Sequence, residues 1–500
     1  MFTPKKPQPT IFFTLLFIVC LLFCGIAGAT PTITLSKKSG PPTSRILVSG
    51  SGFKPNVGVD IYFDTKDEAL VVTDGKGEFD NAKAYAPRSA HPGQHWVTAL
   101  ERNNDKGAQE PFLVRTNWSQ FHFTPEHDGV NPYENVLNPQ TVGNLEMKWV
   151  YSVGGVRSSP AVANGVVYVS LWDAQAVDAL NAKTGTRLWR HITGNVESSP
   201  ALMHGFVYVG TEDYDLHALK ATTGAIVWSY KTGYYVDASP TAVNEIVYIG
   251  SEDFHVYALH ARDGARLWSY RTQNSVWTSP AVVNGVVYVG SYDYSVYALN
   301  AKTGARIWSY PTGSYIFSSP AVANGVVYIG SDDGNVYALN ATTGALLWSY
   351  TTSGMVASSP AVANGVVYIG SADGTVYALN ASSGDTLWTY STGGEVNSSP
   401  AVANGVVYIA SEGGYLYGLN ANTGAELWSY PGSFYVDSPP IVADGTVYVG
   451  SDFGLYAFGL PRSGGAKQDA ASKRPGLTTL HPDFHLKMSK PVTTLSGGEL

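Results

Sequence analysis

The chain has 500 residues, a formal net charge of -8 and 44% hydrophobic residues, which is more than one ordinary core accommodates, so two or three domains are expected. No run of basic residues reaches four. The electrostatic footprint of a nucleic-acid binder is therefore missing, and no nucleic-acid partner is expected.

The N-terminus carries Lys5 and Lys6, an apolar run over residues 11–24, and then Ala27-Gly28-Ala29. That charged, apolar, small-residue order is a secretory signal over residues 1–29, with cleavage after Ala29, and it predicts a secreted or extracytoplasmic protein. Left uncleaved, the same run nears the length that spans a bilayer and would be the one route to a membrane. Val19 and Phe23 precede the two cysteines, Cys20 and Cys24, where a lipoprotein signal would have a small residue. A chain cleaved after Ala29 keeps neither cysteine, so no disulfide, thiol nucleophile or Cys-ligated metal is expected in it.

Residues 31–116 alternate short apolar stretches with Ser-Gly, Asp-Gly and Pro-Gly turn signals, which predicts a small β-sandwich. The order Gly50-Ser51-Gly52-Phe53, then Thr73-Asp74-Gly75 to Phe79, then Pro92-Gly93 resembles bacterial immunoglobulin-like modules. A lead-in segment follows over residues 117–144.

From there proline recurs at 160, 200, 240, 280, 320, 360, 400 and 440, a repeat of 40 residues without drift. Each repeat reads as four short strands joined by tight turns, a length that suits one propeller blade. Proline is tolerated at strand starts and on sheet edges, which places it on the innermost strand, along a central channel. The last repeat has only three such strands, and the missing fourth stands before the first repeat in residues 145–153, with Trp149. Pairing of the two ends in one sheet would remove both free edges. The expected fold is all-β: an eight-bladed propeller of four-stranded antiparallel blades over residues 145–460, preceded by the sandwich. Residues 461–500 lose apolar periodicity and read as a disordered tail, in which His481 and His485 flank Asp483.

Within each repeat stands a second pattern, as in Ala298-Leu299-Asn300-Ala301-Lys302-Thr303-Gly304-Ala305-Arg306-Ile307-Trp308. It ends in Trp189, Trp228, Trp268, Trp308, Trp348, Trp388 and Trp428. This resembles the tryptophan-docking repeat of quinoprotein dehydrogenases and the wider PQQ-like repeat proteins. The lead-in residues Trp118, Phe121, Asn131-Pro132, Glu134, Leu137, Val142, Leu145 and Trp149 resemble the approach to such propellers. The resemblance implies that the tryptophans are mortar between blades. It also implies a test for chemistry, because working members hold calcium on a Glu and an Asn from successive blades, with an Asp base and adjacent cysteines over the quinone. Glu197 fits the acidic ligand, but the corresponding slots in the next repeats hold Asp237, Trp277 and Phe317, and adjacent cysteines are lacking. No cofactor and no catalytic or metal-ligating residue is therefore expected, and a divergent dehydrogenase using PQQ and calcium is the alternative.

The repeats also provide their own comparison. Turns such as Asn324-Gly325 and Thr343-Gly344 hardly change, which marks one face as structural. On the other face, the residue two before each Ser-Pro or Pro-Pro pair is Arg157, Glu197, Asp237, Trp277, Phe317, Ala357, Asn397 and Asp437. A Val, or Ile316, precedes each one, so strand alternation buries the constant residue and displays the variable one. Arg157, Glu197, Asp237, Trp277, Phe317, Asn397 and Asp437 are the predicted ligand-binding residues. Tyr214, Tyr234, Tyr235, Phe254, Tyr292, Tyr294, Tyr315, Phe434, Tyr435 and Phe453 are expected around them. An acidic and aromatic mouth suits an extracellular protein, peptide or glycan. The recurring Asp213, Asp253, Asp293, Asp333 and Asp373 read as turn residues.

Overall fold

Every repeat opens at a proline and turns at Asn-Gly and Thr-Gly, and in a computed structural model each such stretch folds into short antiparallel strands. The structure describes residues 30–102, 106–432 and 438–461, so the signal and most of the tail lie outside the described residues, as do Phe434, Tyr435 and Asp437. The described chain divides into two compact units: residues 30–87 with 93–114, and residues 88–92 with 115–461.

The first unit has a three-stranded sheet and a five-stranded sheet. Alternate residues of their strands are buried, Ile46 and Val48 in one, Val59, Ile61 and Phe63 in the other. These side chains supply the unit with its own apolar core.

In the second unit, seven four-stranded sheets and one five-stranded sheet follow along the chain. The sheet of Ala321–Ala323, Val326–Gly330, Asn335–Asn340 and Leu346–Thr351 is representative. Its second and third strands are buried on both faces, as expected of sheets packed face to face. The last sheet joins Glu146–Tyr151 to Gly454–Gly459, with Val150 opposite Tyr456, so the N-terminal strand completes the C-terminal repeat.

Successive sheets are tied by the tryptophans. Trp308 Nε1 donates to the carbonyl of Ala341 in the next repeat at 2.9 Å, and Trp348 Nε1 to that of Ala381 at 3.0 Å. The indole lies on the glycine of the following Thr-Gly turn. A Cβ at Gly344, whose φ is +73°, would sit 2.7 Å from the Trp308 ring. Glycine is thus required twice, by the left-handed turn and by the close approach of the ring. A second tie runs along the inner strands: Ser159 N–H donates to Ser199 Oγ, Ser199 to Ser239, and the series continues to Ser399.

The lead-in is part of this architecture. Trp118 exchanges backbone bonds with Val162. The carbonyl of Ser119 then accepts from Leu202, Gln120 Oε1 from Ala242, and the carbonyls of Pro125, Glu126, Asp128 and Gly129 from Val282, Val322, Val362 and Val402. Asn131 Nδ2 finally donates to the carbonyl of Val442 at 2.8 Å. One segment therefore makes a lap of all the inner strands, saturating the edge that proline had marked as facing the channel. It does so next to the Asn-Gly turns, at the C-terminal ends of the inner strands. At the opposite end of the inner strands stand the variable residues.

Candidate functional site

Among the described residues the constant residue before each variable position is fully buried: Val156, Val196, Val236, Val276, Ile316, Val356 and Val396 are each 0% exposed. Their neighbours are left at the rim. Arg157 reaches across to Glu197, Nη1 to Oε1 at 3.0 Å, and its guanidinium lies 4.6 Å from the centre of the Trp172 ring. Trp277 lies parallel to Tyr292, with 5.6 Å between centroids and 3° between planes. Phe317 meets both edge-on at 5.8 and 4.6 Å, and Tyr315 packs against Tyr292 at 5.1 Å. Asn397 Nδ2 donates to Glu395 and Glu412. The predicted residues from Arg157 to Phe317 thus join into one sector, Asn397 sits in a separate acidic one, and Asp437 is outside the described residues.

Between the ion pair and the aromatic cluster lies Asp237. Both of its carboxylate oxygens, and Oε1 of Glu252, are buried with no donor in reach. Two ionised carboxylates have nothing to donate to each other, and one shared proton satisfies both. Burial, Glu252 in hydrogen-bonding reach and the charge of Glu197 accordingly push the Asp237 carboxyl well above its ordinary range. Burial does the same to Glu252, and it pushes Asp332 up to about 6. A proton held between the two carboxyls makes the pair a hydrogen-bond donor as well as an acceptor.

Glu212, Glu252, Asp332, Glu412 and Trp172 stand beside the variable residues at the rim, and the sequence alone did not single them out. Each stands just past the second strand of its repeat, 15 residues after the variable position. The same column comparison could have found them, since Trp172, Glu212, Glu252, Tyr292, Asp332, Ala372, Glu412 and Asp452 vary as widely as the first set. The recurring aspartates, by contrast, are structural: Asp253 Oδ2 accepts from Gly233 N–H at 2.7 Å and from Tyr257 O–H at 2.6 Å. Asp293, Asp333 and Asp373 repeat both contacts. A groove lined by Glu126, Val283, Asn284, Tyr288 and Ile307 lies at the lead-in end, away from the rim.

A family model described as outer membrane protein assembly factor BamB matches residues 173–316, 315–397 and 374–467, together more than half of the chain. The chain belongs to this family of PQQ-like propeller repeats. No curated protein matches it by sequence. Among solved structures it is similar to BamB from Moraxella catarrhalis, with a TM-score of 0.56 and 19% identity over 64% of this chain and 98% of that one. It is similar also to the quinohemoprotein alcohol dehydrogenase from Comamonas testosteroni, with 0.59 and 18% over 70% and 82%. A europium-containing methanol dehydrogenase gives 0.61 and 15% over 69% and 98%. At these identities the likeness shows the β-propeller fold, as the repeats had predicted.

The residues at the rim do not fit the calcium and quinone of the dehydrogenases. Glu197 is engaged by Arg157, the next repeat offers a carboxyl paired with Glu252 in place of an amide, and Trp277 stacks on Tyr292.

Proposed function

We propose that the protein is a non-catalytic extracytoplasmic binding or scaffold protein, an eight-bladed propeller over residues 145–460 with a separate β-sandwich over residues 31–116. Its ligand is a protein, peptide or glycan held at the mouth formed by Arg157, Glu197, Asp237, Trp277 and Phe317. The observation that carries this reading is the junction of a stacked aromatic sector with a buried, proton-sharing acid pair. Rings offer contact area at low entropic cost, and the Asp237–Glu252 pair can bond a hydroxyl, an amide or a basic side chain. The carboxylates of Glu197 and Glu212 beside the pair favour a segment bearing positive charge. An assembly factor among the similar proteins supports a protein partner, and the signal at residues 1–29 supports export. Among the described residues no helix is long and apolar enough to cross a membrane.

The test is a screen of secreted proteins, peptides and glycans, followed by affinity measurements on variants. Trp277→Ala should weaken the ligand found by about thirtyfold, the loss of roughly 2 kcal/mol typical of a central anchor. Asp237→Asn should also weaken it, and Asn324→Ser at the lead-in end should not. Binding lost on Asn324→Ser and kept in Trp277→Ala would place the site elsewhere. The dehydrogenase reading is favoured by the likeness to the quinoproteins alone, and a dye-linked oxidation requiring added PQQ and calcium would establish it.

A further inference from the structure

The outer part of five successive interfaces between repeats follows one rule, while at the two ends of the series Tyr430 packs on Phe458 and Tyr151 donates to Asp178. A tyrosine two residues after the tryptophan packs on a tyrosine of the next repeat's third strand. Tyr230–Tyr257, Tyr270–Tyr297, Tyr310–Tyr337, Tyr350–Tyr377 and Tyr390–Tyr417 have centroids 5.4 to 5.8 Å apart. In four of these pairs the second phenol donates to the turn aspartate of its own repeat at 2.6 to 2.8 Å. Between the first and second repeats both partners change together. His191 faces His217 with centroids 6.3 Å apart, and the turn aspartate, Asp213, has no phenol to receive. Asp215 adds a second carboxylate where the other repeats have His255, Ser295, Asn335, Thr375 and Tyr415.

We propose that Asp213, Asp215 and His217, with His191 beside them, form a site for a divalent transition-metal ion of the zinc type. One ligand atom from each of Asp213, Asp215 and His217 lies within 4.8 Å of the others, a spread that small side-chain rotations close to metal-ligand distances. His217 is 7% exposed, and its Nδ1 lies 2.7 Å from Ser229 Oγ. That bond fixes the ring and leaves Nε2 free to ligate, the outer contact that metal-binding histidines usually have. Two carboxylates neutralise a divalent ion, and imidazole with carboxylate is a donor set suited to zinc and its neighbours. Replacing a phenol pair by an imidazole pair gives up apolar contact at the interface, and a common metal offsets that loss. Lys231 now approaches Asp215 at 3.6 Å and donates to the carbonyl of Asp213 at 3.0 Å. Its side chain is 65% exposed, and it is the cation that the metal displaces.

The experiment titrates the full chain with Zn2+ by calorimetry and with Co2+ by visible absorption. The variants are His191→Tyr with His217→Tyr, which restores the pair found at five other interfaces, and Asp215→Ser, which copies Ser295. The wild-type chain should bind one ion with the absorption of a low-coordinate Co2+ site, and zinc should raise its melting temperature. Both variants should fold with unchanged circular dichroism and lose at least about tenfold in affinity, and Lys231→Ala should gain affinity. Absence of binding by the wild-type chain overturns the proposal, and so does equal binding by the double tyrosine variant.

Discussion

The interface between the fourth and fifth repeats and the one between the seventh and eighth are held by different means. At the first, Trp308 donates to Ala341, Tyr288 O–H donates to the same carbonyl at 3.0 Å, and Ser279 donates to Ser319 in the inner belt. At the second, the residue in Ala341's place is Pro461, and Tyr408 O–H is buried without a partner among the described residues. Trp428 turns to Tyr430 and Phe458 instead. The gap is filled from the lead-in: Leu137, Val142 and Leu145 share a core with Ala403, Tyr408, Val442 and Phe458. Val130–Asn131 pairs in parallel with the strand Ala401–Ala403. Repetition thus supplies the stability of the regular interfaces, and unrepeated chain supplies it where the circle is joined.

The strongest test is a pair of substitutions. Trp308→Ala should cost about 3 to 5 kcal/mol, because it empties a buried site and deletes a bond. Trp428→Ala should cost less than half of that, measured by chemical unfolding. Equal losses would mean that the seam is docked like the other interfaces.

Next in size comes pH, which separates the lead-in from the mouth. Burial lowers His122 to about 4 and His127 to about 3. The unfolded chain then holds more protons than the folded one below the ordinary histidine range, so stability falls as pH drops from about 6.5 towards 3. The acid pair works oppositely. Asp237 and Glu252 keep a proton that the unfolded chain gives up, so their contribution falls as pH rises above the ordinary carboxylate range. Melting curves against pH should lose the acid limb in His122→Gln with His127→Gln, and the alkaline decline should flatten in Asp237→Asn. Asn131→Ala tests the lead-in more gently: it strands the Val442 carbonyl at about 1 to 3 kcal/mol.

Much of this was legible in the sequence because a repeat states its rules many times. The spacing of the prolines, the three-strand last repeat and the Trp-to-Gly pattern gave strands, pairing partners and docking. The burial of Val156 through Val396 follows from simple alternation. The lap of the lead-in was not legible, since residues 117–131 occur once and most of their bonds are made by backbone carbonyls that no side chain announces. The acid pair was missed for a related reason: Asp237 and Glu252 belong to different columns, and only the fold sets those columns side by side. The His191–His217 exchange stood in plain view but acquires meaning once the two positions are known to touch.

The smallest predicted effect lies in the inner belt at the seam. Six serine-to-serine bonds run from Ser159 to Ser399, and then the column reaches Pro439. Proline has no N–H to donate to Ser159 and no hydroxyl to accept from Ser399. Ser159 Oγ is accordingly buried without a partner among the described residues. Pro439→Ser would offer both groups and close the belt. Two bonds of about 0.5 to 1.5 kcal/mol each favour the substitution, and the freer unfolded chain opposes it by about 0.4 to 1 kcal/mol. The net expectation is a gain of roughly 1 kcal/mol. Pro439→Ala should be close to neutral, because the N–H it offers Ser159 offsets the entropy cost while it lacks the hydroxyl that would accept from Ser399. A serine variant no more stable than the alanine variant would show that the belt is not what joins the ring at this point.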